Sequence, residues 1–314
     1  NIEIQKNIID VFLLTYNRPI YLRLMIESII NQTYKNFNLI ILDNGSNNDT
    51  LEVVKSFEDQ RITYIKNEKN DREFLNYPFI NSNAEFFTVV HDDDILKPNF
   101  LEYQLEIILK DSRINLLASK INLIDSNGND LHKIRPRLFD IKNFWEKEEF
   151  IKAYFLKGDF IPFPTIIYRN NFIKKNNLNL EFKVGPAVDL YLLFKCNLKD
   201  GKIKISDKPL YNYRIHDTQD SELNRLKLEY EVRPYILDLL SSYKYLKAKY
   251  DKASIGFIFH IIIFQFISLK IDFKVFFREI EKAIKEGLKI NKYSVYWGFI
   301  GLFRGLKTVV SFKL

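Results

Sequence analysis

The chain has 314 residues, of which 46% are hydrophobic and 15% aromatic, with only ten glycines and nine prolines. This composition supports a large buried core and excludes a low-complexity or linker-dominated protein. The single cysteine, Cys196, excludes an internal disulfide and a cysteine-based metal site, and we expect a buried thiol in a reducing compartment.

The formal net charge of +7 is unevenly distributed along the chain. Residues 1–224 contain 30 Lys and Arg against 32 Asp and Glu, whereas residues 225–314 contain 17 against 8. The first part is slightly acidic, which argues against a general nucleic-acid-binding face. We therefore predict two parts, a near-neutral domain at 1–224 and a basic, aromatic-rich helical extension at 225–314.

Short apolar runs separated by helix-like segments fill the first 120 residues. The runs lie at residues 8–15, 37–43, 61–65 and 85–90. Short apolar runs rich in β-branched residues are typical of the buried strands of a parallel sheet. Because strand and helix patterns alternate, the sequence predicts an α/β fold with a doubly wound, mainly parallel sheet flanked by helices.

Two of the helices are indicated by prolines at the favoured first helical position, Pro19 and Pro98. Between the second and third strands, Asp49 or Thr50 is expected to cap a helix that extends to Phe57. Apolar residues recur along one stripe of the two proline-initiated helices. These residues are Leu22, Met25, Ile26, Ile29 and Ile30 in the first helix, and Leu101, Leu105, Ile108 and Leu109 in the second.

The pattern beyond residue 115 is coarser. Asn127 and Gly128 are expected to form the turn of a hairpin, and residues 208–221 an aromatic strand that runs into a polar loop. The apolar run at residues 255–269 is 15 residues long and is interrupted by two polar side chains. It is too short to span a bilayer, so we predict a buried helix.

Polar clusters follow three of the predicted strands: TYNR after the first, DNGS after the second and HDDD after the fourth. In open α/β sheets, ligands bind at the carboxyl ends of the strands, so these clusters are expected to share one rim. No G-x-G-x-x-G or P-loop pattern follows the first strand, which excludes a Rossmann dinucleotide site and a P-loop NTPase.

The HDDD cluster contains three consecutive aspartates, Asp92, Asp93 and Asp94. Adjacent carboxylates repel one another, so either water or a positive group must stabilise them. Hard carboxylate oxygens with no cysteine nearby favour Mg²⁺ or Mn²⁺ over zinc. Such ions are usually shared with the phosphates of a substrate, which points to a phosphorylated ligand on the same rim.

Three segments, taken in order over roughly residues 8–221, resemble the family 2 glycosyltransferases. They are VFLLTYNRPIYLRLMIESIINQTYKNFNLIILDNGSNNDT, HDDD and PLYNYRIHDTQDS. The resemblance implies the GT-A fold, a Rossmann-like sheet flanked by helices, here with a C-terminal helical extension. It also implies an inverting, metal-dependent transfer of a hexose or N-acetylhexosamine from a UDP-sugar. The acceptor would be a hydroxyl of a glycan, glycolipid or glycoprotein in cell-surface polysaccharide or glycoconjugate synthesis.

The resemblance further implies roles for individual residues. Arg214 would either neutralise the diphosphate or hold the end of its strand, and Ser221 would belong to the loop that follows. Asp93, Asp94 and His216 would hold the Mn²⁺ or Mg²⁺ ion. The residues implied for nucleotide binding are Thr15, Tyr16, Asn17, Arg18, Asp43, Asn44, Asn67 and Asp92, with Asp43 on the base.

Asp189, in VGPAVDLYLLF, is the candidate catalytic base that would take the proton of the acceptor hydroxyl. The alternative is that Asp189 only caps the helix that begins there, and Asp159 is the second choice as base. The sequence departs from the family pattern at two positions: Val188 stands where a glutamate is typical, and His91 where the first aspartate of the metal motif is common. These departures leave open a non-catalytic nucleotide-sugar or partner-binding module, and a dTDP-sugar remains an alternative donor.

The C-terminal segment NKYSVYWGFIGLFRGLKTVVSFKL has a helical division of faces. A basic amphipathic helix with aromatic residues is typical of a segment that lies on an anionic membrane surface. The alternative is a terminal helix docked on the body or on a second subunit. We therefore expect a cytoplasmic protein, either free or peripheral at the inner face of the cell membrane. The apolar face holds Val295, Phe299, Leu302, Leu306 and Val309, and the other holds Ser294, Gly298, Gly301, Arg304, Gly305 and Thr308.

Overall fold

The structure, a computed structural model, describes residues 9–135, 149–157, 160–215, 225–268, 271–289 and 291–311. The chain forms two compact units, which are described separately. The first contains residues 1–150, 160–182 and 192–218, and the second contains residues 151–159, 183–191 and 219–314.

The first unit is built on a nine-stranded sheet. Its strand order is β3-β2-β1-β4-β8-β6-β9-β5, and β7 pairs with β6 outside this path. Strands β1 to β4 form the parallel arrangement predicted from the sequence, and β6 pairs in parallel with β9, whereas β5, β7 and β8 add antiparallel pairings. The strands are β1 (Ile9–Thr15), β2 (Phe37–Asp43), β3 (Ile62–Lys66), β4 (Phe86–His91), β5 (Ile95–Leu96), β6 (Ile114–Ile124), β7 (Asp130–Arg135), β8 (Ile167–Arg169) and β9 (Lys202–Arg214).

Eleven α-helices and three short 3₁₀ helices lie in the described part of the chain. The 3₁₀ helices are Arg72–Asn76, Phe163–Thr165 and Phe182–Val184. The α-helices are α1 (Pro19–Ile30), α2 (Asn48–Lys55), α3 (Tyr77–Asn81), α4 (Phe100–Lys110), α5 (Glu149–Lys157), α6 (Asn170–Lys175), α7 (Val188–Leu198), α8 (Arg225–Leu239), α9 (Lys244–Ile267), α10 (Phe273–Lys285) and α11 (Lys292–Ser311).

Both faces of β1 are buried, which explains its nearly continuous apolar sequence. Val11 and Leu13 belong to the main core together with the apolar stripe of α1. Phe12 points to the opposite face, where its ring meets Phe87 edge-on. Phe87 in turn stacks on Tyr168 of β8 with ring centroids 4.9 Å apart. The sheet is thus packed on two sides, and its carboxyl rim is where polar side chains gather.

Two helix starts differ from the sequence-based expectation. Helix α2 begins at Asn48, so Asp49 and Thr50 lie inside its first turn, and the prediction that either residue caps the helix is wrong. An acidic residue in the first turn still interacts favourably with the helix dipole. Helix α4 begins two residues after Pro98, because the Pro98 carbonyl accepts a hydrogen bond from Thr33 N and is held in a turn.

Most of the predicted core positions are confirmed. All four residues Leu22, Met25, Ile26 and Ile29 are fully buried, and Leu101, Leu105 and Ile108 are buried as well. Leu109 is exposed, because it falls beside the buried stripe of α4 rather than on it. The predicted hairpin is also confirmed: β6 and β7 are antiparallel, and Gly128 in their turn has a φ of +91°. Cys196 is buried.

The second unit has helix α9 at its centre. The 18-residue segment Tyr250–Ile267 is long and apolar enough to cross a membrane by length and composition, but 61% of it is buried inside the fold. Ile255, Ile258 and Ile262 form a small core with Ala283 of α10. This burial is typical of the core helix of a globular unit, in agreement with the predicted buried helix.

Helix α11 packs closely against α9 through two glycines. A Cβ atom at Gly301 would lie 2.7 Å from the carbonyl oxygen of His260, and one at Gly298 would lie 3.1 Å from the ring of Phe259. Trp297, on the same side of α11, is fully buried and donates from Nε1 to the Phe155 carbonyl at 2.9 Å. The inward face of α11 is therefore its small-residue face.

We predict that Gly301→Ala destabilises the protein whereas Gly298→Ala does so less. Both changes raise helix propensity by up to about 1 kcal/mol. At position 301 the new methyl group meets backbone that cannot move aside, and overpacking of this kind costs about 1–3 kcal/mol. At position 298 it meets a phenylalanine ring that is able to shift. Thermal unfolding of the two variants by circular dichroism should show the lower midpoint for Gly301→Ala, and the reverse order would contradict the close helix contact.

Candidate functional site

The polar clusters that follow β1, β2 and β4 meet at the carboxyl rim of the sheet, as the sequence predicts. Thr15 Oγ1 donates to Asp92 Oδ2 at 2.8 Å, which joins β1 to β4. Asn44 N donates to the Thr15 carbonyl at 3.0 Å, which joins β2 to β1. The backbone N–H of Asn17 donates to Ser46 Oγ at 2.9 Å. The three loops therefore form one connected surface.

The turn after β1 is fixed by Asn17. This residue adopts a left-handed φ of +53°, which asparagine tolerates better than most residues. Its side-chain oxygen accepts from Asn47 N at 2.9 Å, so the loop after β2 holds the turn in place. Because Pro19 then begins α1, the direction of Arg18 between them is set by two constrained neighbours.

Arg18 supplies a positive charge to the aspartate cluster. Its NH1 atom lies 3.2 Å from Asp92 Oδ1 and 2.8 Å from Asp93 Oδ2. Partial burial acts to lower the pKa of Arg18, but the charges of Asp92 and Asp93 outweigh this effect and raise that pKa above its ordinary value. The Arg18 guanidinium therefore contacts Asp93, one of the residues that the sequence assigned to a metal ion.

Asp92 is held by the first strand. Its Oδ2 atom accepts from Thr15 Oγ1 and, at 3.2 Å, from Tyr16 N. The side chain is almost completely buried, and burial raises the pKa of Asp92 against the opposing effect of the Thr15 hydrogen bond and the Arg18 charge. Thr15, Tyr16 and Arg18 thus all contact Asp92, which explains why this strand end carries a polar cluster.

Asp94 is held by the opposite side of the sheet. Its Oδ2 accepts from the hydroxyl of Tyr211 at 2.8 Å, and its Oδ1 accepts from Arg214 N at 2.8 Å, both on β9. The carboxyl group is 1% exposed, and burial raises its pKa well above the usual value, aided by the neighbouring charge of Asp93.

His91, Asp93 and Asp94 each offer one ligand atom, and these atoms lie within 4.8 Å of one another. Two carboxylates and one imidazole are a suitable donor set for Mn²⁺ or Mg²⁺ together with oxygens from water and phosphate. The sequence placed Asp93 and Asp94 here but treated His91 only as a departure from the family motif. The position of His91 next to the aspartates, at the end of a buried strand, was the signal that could have identified it.

Asp43 lies at the end of β2 and is completely buried. Its Oδ1 accepts from Ser46 N at 2.8 Å, and its Oδ2 accepts from the hydroxyl of Tyr64. Burial and the charge of Asp43 raise the pKa of the Tyr64 phenol. Both carboxylate oxygens are therefore already engaged within the protein, and contact of Asp43 with a base stays a prediction.

Asn44 connects the loops that follow β2 and β3. Its side-chain oxygen accepts from Asn67 Nδ2 at 3.2 Å and from Asp71 N at 3.0 Å, and its Nδ2 donates to Asn70 Oδ1 at 2.9 Å. The two loops approach so closely that a Cβ atom on Gly45 would lie 2.6 Å from Asn70 N. Asn44 and Asn67 thus contact one another, whereas their proposed binding of nucleotide stays a prediction.

Arg214 connects the aspartate loop to the β6–β7 hairpin. Its Nε donates to the Asp93 carbonyl at 2.7 Å, and its NH1 donates to the carbonyls of Asp125 and Ser126, each at 3.1 Å. The guanidinium group also lies over the ring of Tyr21 at 4.6 Å. The side chain is 1% exposed. This geometry supports the alternative in which Arg214 holds the end of its strand.

The remaining candidate residues are not among the described residues of the first unit. Asp189 belongs to the second unit and lies in the first turn of α7, one residue after the helix begins, where its Oδ1 accepts from Leu190 N at 2.7 Å. Its role as base stays a prediction. His216, Ser221 and Asp159 lie outside the described residues.

We predict that Tyr211→Phe lowers the free energy of unfolding by about 1–3 kcal/mol, because Asp94 Oδ2 then loses its buried hydroxyl donor. Tyr296→Phe, at an exposed tyrosine, is the matched control and should change stability by less than about 0.5 kcal/mol. Urea unfolding measured by fluorescence distinguishes the two. Equal stabilities would mean that the hydrogen bond between Tyr211 and Asp94 is not needed in the folded protein.

Comparison with known proteins identifies the family. The family model described as Glycosyl transferase family 2 matches residues 10–175. An uncharacterized glycosyltransferase of Methanocaldococcus jannaschii is 33% identical over 231 residues, which cover 72% of this chain and 76% of that protein. An uncharacterized glycosyltransferase of Rickettsia typhi is 28% identical over 228 residues, covering 71% of this chain and 69% of that protein.

Solved structures show the same fold. S. aureus TarS residues 1–349 in complex with UDP aligns over 97% of this chain and 91% of that one, with a TM-score of 0.60 and 18% identity. The mannosyltransferase PcManGT from Pyrobaculum calidifontis, in complex with GDP-Man and Mn²⁺, aligns over 97% of this chain and 87% of that one, with a TM-score of 0.57 and 11% identity. The resemblance seen in the sequence is confirmed, and the chain is a glycosyltransferase that belongs to family 2 and has the GT-A fold.

Proposed function

We propose that this glycosyltransferase is inverting and metal-dependent, and that it moves a hexose or N-acetylhexosamine from a UDP-sugar to a hydroxyl group. The acceptor would be a glycan, glycolipid or glycoprotein, with cell-surface polysaccharides or glycoconjugates as products. The observation that carries the proposal is the group of His91, Asp93 and Asp94 on the rim, beside the loops that follow β1 and β2.

The choice of uridine is supported by one of the structural relatives, TarS. TarS was solved with UDP and with UDP-GlcNAc, whereas PcManGT was solved with GDP-Man. The fold therefore accepts more than one base, and this chain supplies its own polar surface after β2 and β3. Asn44 and Asn67 are the side chains there that we assign to nucleotide recognition, with Thr15, Tyr16 and Asn17 on the neighbouring loop.

We assign the cation to Asp93, Asp94 and His91, with His216 as a further donor implied by the family resemblance. When bound, Mn²⁺ or Mg²⁺ would stabilise the negative charge that develops on the departing diphosphate. Asp94 is already positioned by Tyr211 and by Arg214 N, so its carboxylate would be held rigidly. Asp93 accepts a hydrogen bond from Arg18, so a cation would compete with Arg18 for this ligand.

Arg18 would pair first with the aspartates and then with the diphosphate of the donor. Without ligand, its guanidinium neutralises Asp92 and Asp93. Because the side chain is 38% exposed, it is able to rotate toward solvent when a cation takes over that neutralisation. Guanidinium groups bind phosphate well, so Arg18 would then contact the diphosphate of the donor.

Transfer itself requires removal of a proton from the acceptor hydroxyl as that oxygen attacks the anomeric carbon. We assign this step to Asp189. A carboxylate on the side opposite the leaving diphosphate would permit displacement in one step with inversion at the anomeric carbon. The first turn of α7 fixes the backbone at Asp189, so its position would be well defined.

We expect Asp93→Asn and Asp189→Asn to separate binding from transfer. Asp93→Asn should weaken Mn²⁺-dependent UDP binding by about tenfold or more, since one charged ligand is lost. Asp189→Asn should leave that binding nearly unchanged and reduce transfer by a factor of about 10²–10⁴. The measurements are calorimetry with UDP and Mn²⁺, followed by turnover with a panel of UDP-sugars.

The exposed substitution Asp111→Asn is the control for both variants and should alter neither quantity. Undiminished turnover in Asp189→Asn would remove that residue from the role of base. Unchanged UDP binding in Asp93→Asn, with Mn²⁺ present, would count against the cation site.

A substitution of Arg18 should strengthen the binding of the cation alone and weaken the binding of the nucleotide. In Arg18→Met no internal cation competes for Asp92 and Asp93, so Mn²⁺ alone should bind about fivefold more tightly, as expected for removing an ion pair worth up to about 1 kcal/mol. UDP should bind more weakly in the presence of Mn²⁺, because a phosphate contact is lost.

Titration of Mn²⁺ by electron paramagnetic resonance, with and without UDP, measures both effects of the Arg18 substitution. Arg113→Met, which breaks an exposed ion pair with Asp111, is the control. If Mn²⁺ binds wild type and Arg18→Met equally, Arg18 does not compete for the site.

A further inference from the structure

Helix α11 exposes six large apolar side chains on one side. Each is 40–73% exposed, whereas the neighbouring Trp297 is fully buried. At 100° per residue, the six positions fall within an arc of about 120° on the helix surface. The residues are Val295, Tyr296, Phe299, Leu302, Phe303 and Leu306.

This orientation follows from how α11 is attached to its unit. Gly298 and Gly301 face α9, where their missing side chains permit close contact with Phe259, His260 and Ile263. Ser294 is also buried, and its hydroxyl donates to the Lys289 carbonyl at 2.8 Å. Because the small-residue face is attached, the apolar face lies outward, and no described residue of the second unit covers it.

Helix α10 of the same unit has a smaller face of this kind. Phe273, Phe277 and Ile284 are 58–68% exposed and recur at spacings that place them on one side of the helix. Exposed basic residues lie between these positions or next to them, and two of them form ion pairs with Glu279 and Glu281. The basic residues are Lys274, Arg278, Lys282 and Lys285.

We propose that the exposed apolar face of α11 docks the second unit on an anionic lipid surface. Large apolar and aromatic side chains surrounded by basic residues are the composition of helices that lie in the interfacial plane of a bilayer. Tyr296 is suited to this depth, because tyrosine rings concentrate at the boundary between hydrocarbon and headgroups. Phe299 and Phe303 add apolar area to the face that enters the bilayer.

The charge of this part of the chain favours lipid, rather than a second copy of the chain, as the partner that covers the apolar face of α11. Residues 225–314 carry a net charge of +9, and no Asp or Glu follows Glu286 in the sequence. A twofold contact through α11 would bring two positively charged helices together, which is unfavourable. Anionic headgroups have the complementary charge, and each nearby Lys or Arg strengthens their attraction.

Vesicle flotation with the full chain tests this proposal. We expect the protein to float with vesicles of phosphatidylcholine that contain about 30 mol% phosphatidylglycerol, and not with pure phosphatidylcholine vesicles. The bound fraction should fall as salt is raised, because screening weakens the attraction of headgroups for basic residues. The double substitution Phe299→Ser and Phe303→Ser should reduce flotation at least about tenfold, given the apolar area that leaves the bilayer.

The matched control is the double substitution Ile80→Ser and Leu109→Ser, which removes two exposed apolar side chains from the first unit and should float like wild type. Circular dichroism would verify that both double variants keep the wild-type fold. Absence of flotation with anionic vesicles, or equal flotation of the α11 variant, would overturn the proposal. So would a dimer in sedimentation equilibrium that the α11 substitutions abolish, since the face would then bind a second copy.

Discussion

Three adjacent carboxylates at the buried end of β4 are the constraint around which the rim is organised. Several parts of the chain stabilise these carboxylates, through hydrogen bonds and through the positive charge of Arg18. Asp92 accepts hydrogen bonds from Thr15 and Tyr16 of the first strand and turn, and Arg18 pairs with both Asp92 and Asp93. Asp94 accepts hydrogen bonds from Tyr211 and Arg214 of β9. The aspartates thereby connect segments separated by as many as 120 positions in sequence.

The same arrangement prepares the rim for a charged ligand. Asp94 accepts from a neutral donor, the buried Tyr211 hydroxyl, whereas Asp93 pairs with the charged Arg18 side chain, which is partly exposed. A cation at the proposed site would compete with Arg18 for Asp93. Burial strengthens the attraction of the aspartates for any positive group, since opposite charges attract more strongly where water is scarce.

Sequence periodicity predicted the strands and the shared rim, because burial on both faces of a parallel sheet leaves a clear pattern in β1, β2 and β4. It did not predict the pairing of Arg18 with the aspartates or the place of His91 among the possible ligands. Both depend on the distances between loops that only tertiary packing defines. The start of α4 after Pro98 depends in the same way on the hydrogen bond from Thr33 N to the Pro98 carbonyl.

The orientation of α11 shows where a hydrophobic pattern alone is insufficient. Periodicity favours burial of the apolar stripe, yet Gly298 and Gly301 allow the backbone of α11 to approach α9 to a distance that large side chains would prevent. The close approach gains dispersion contacts along both helices and accommodates Trp297, with its Nε1 hydrogen bond, in the interior. Phe299 and Phe303 consequently remain in water, which is unfavourable until another apolar surface covers them. A helix attached in this way keeps its large apolar side chains outside its own unit, where the proposed lipid surface would cover them.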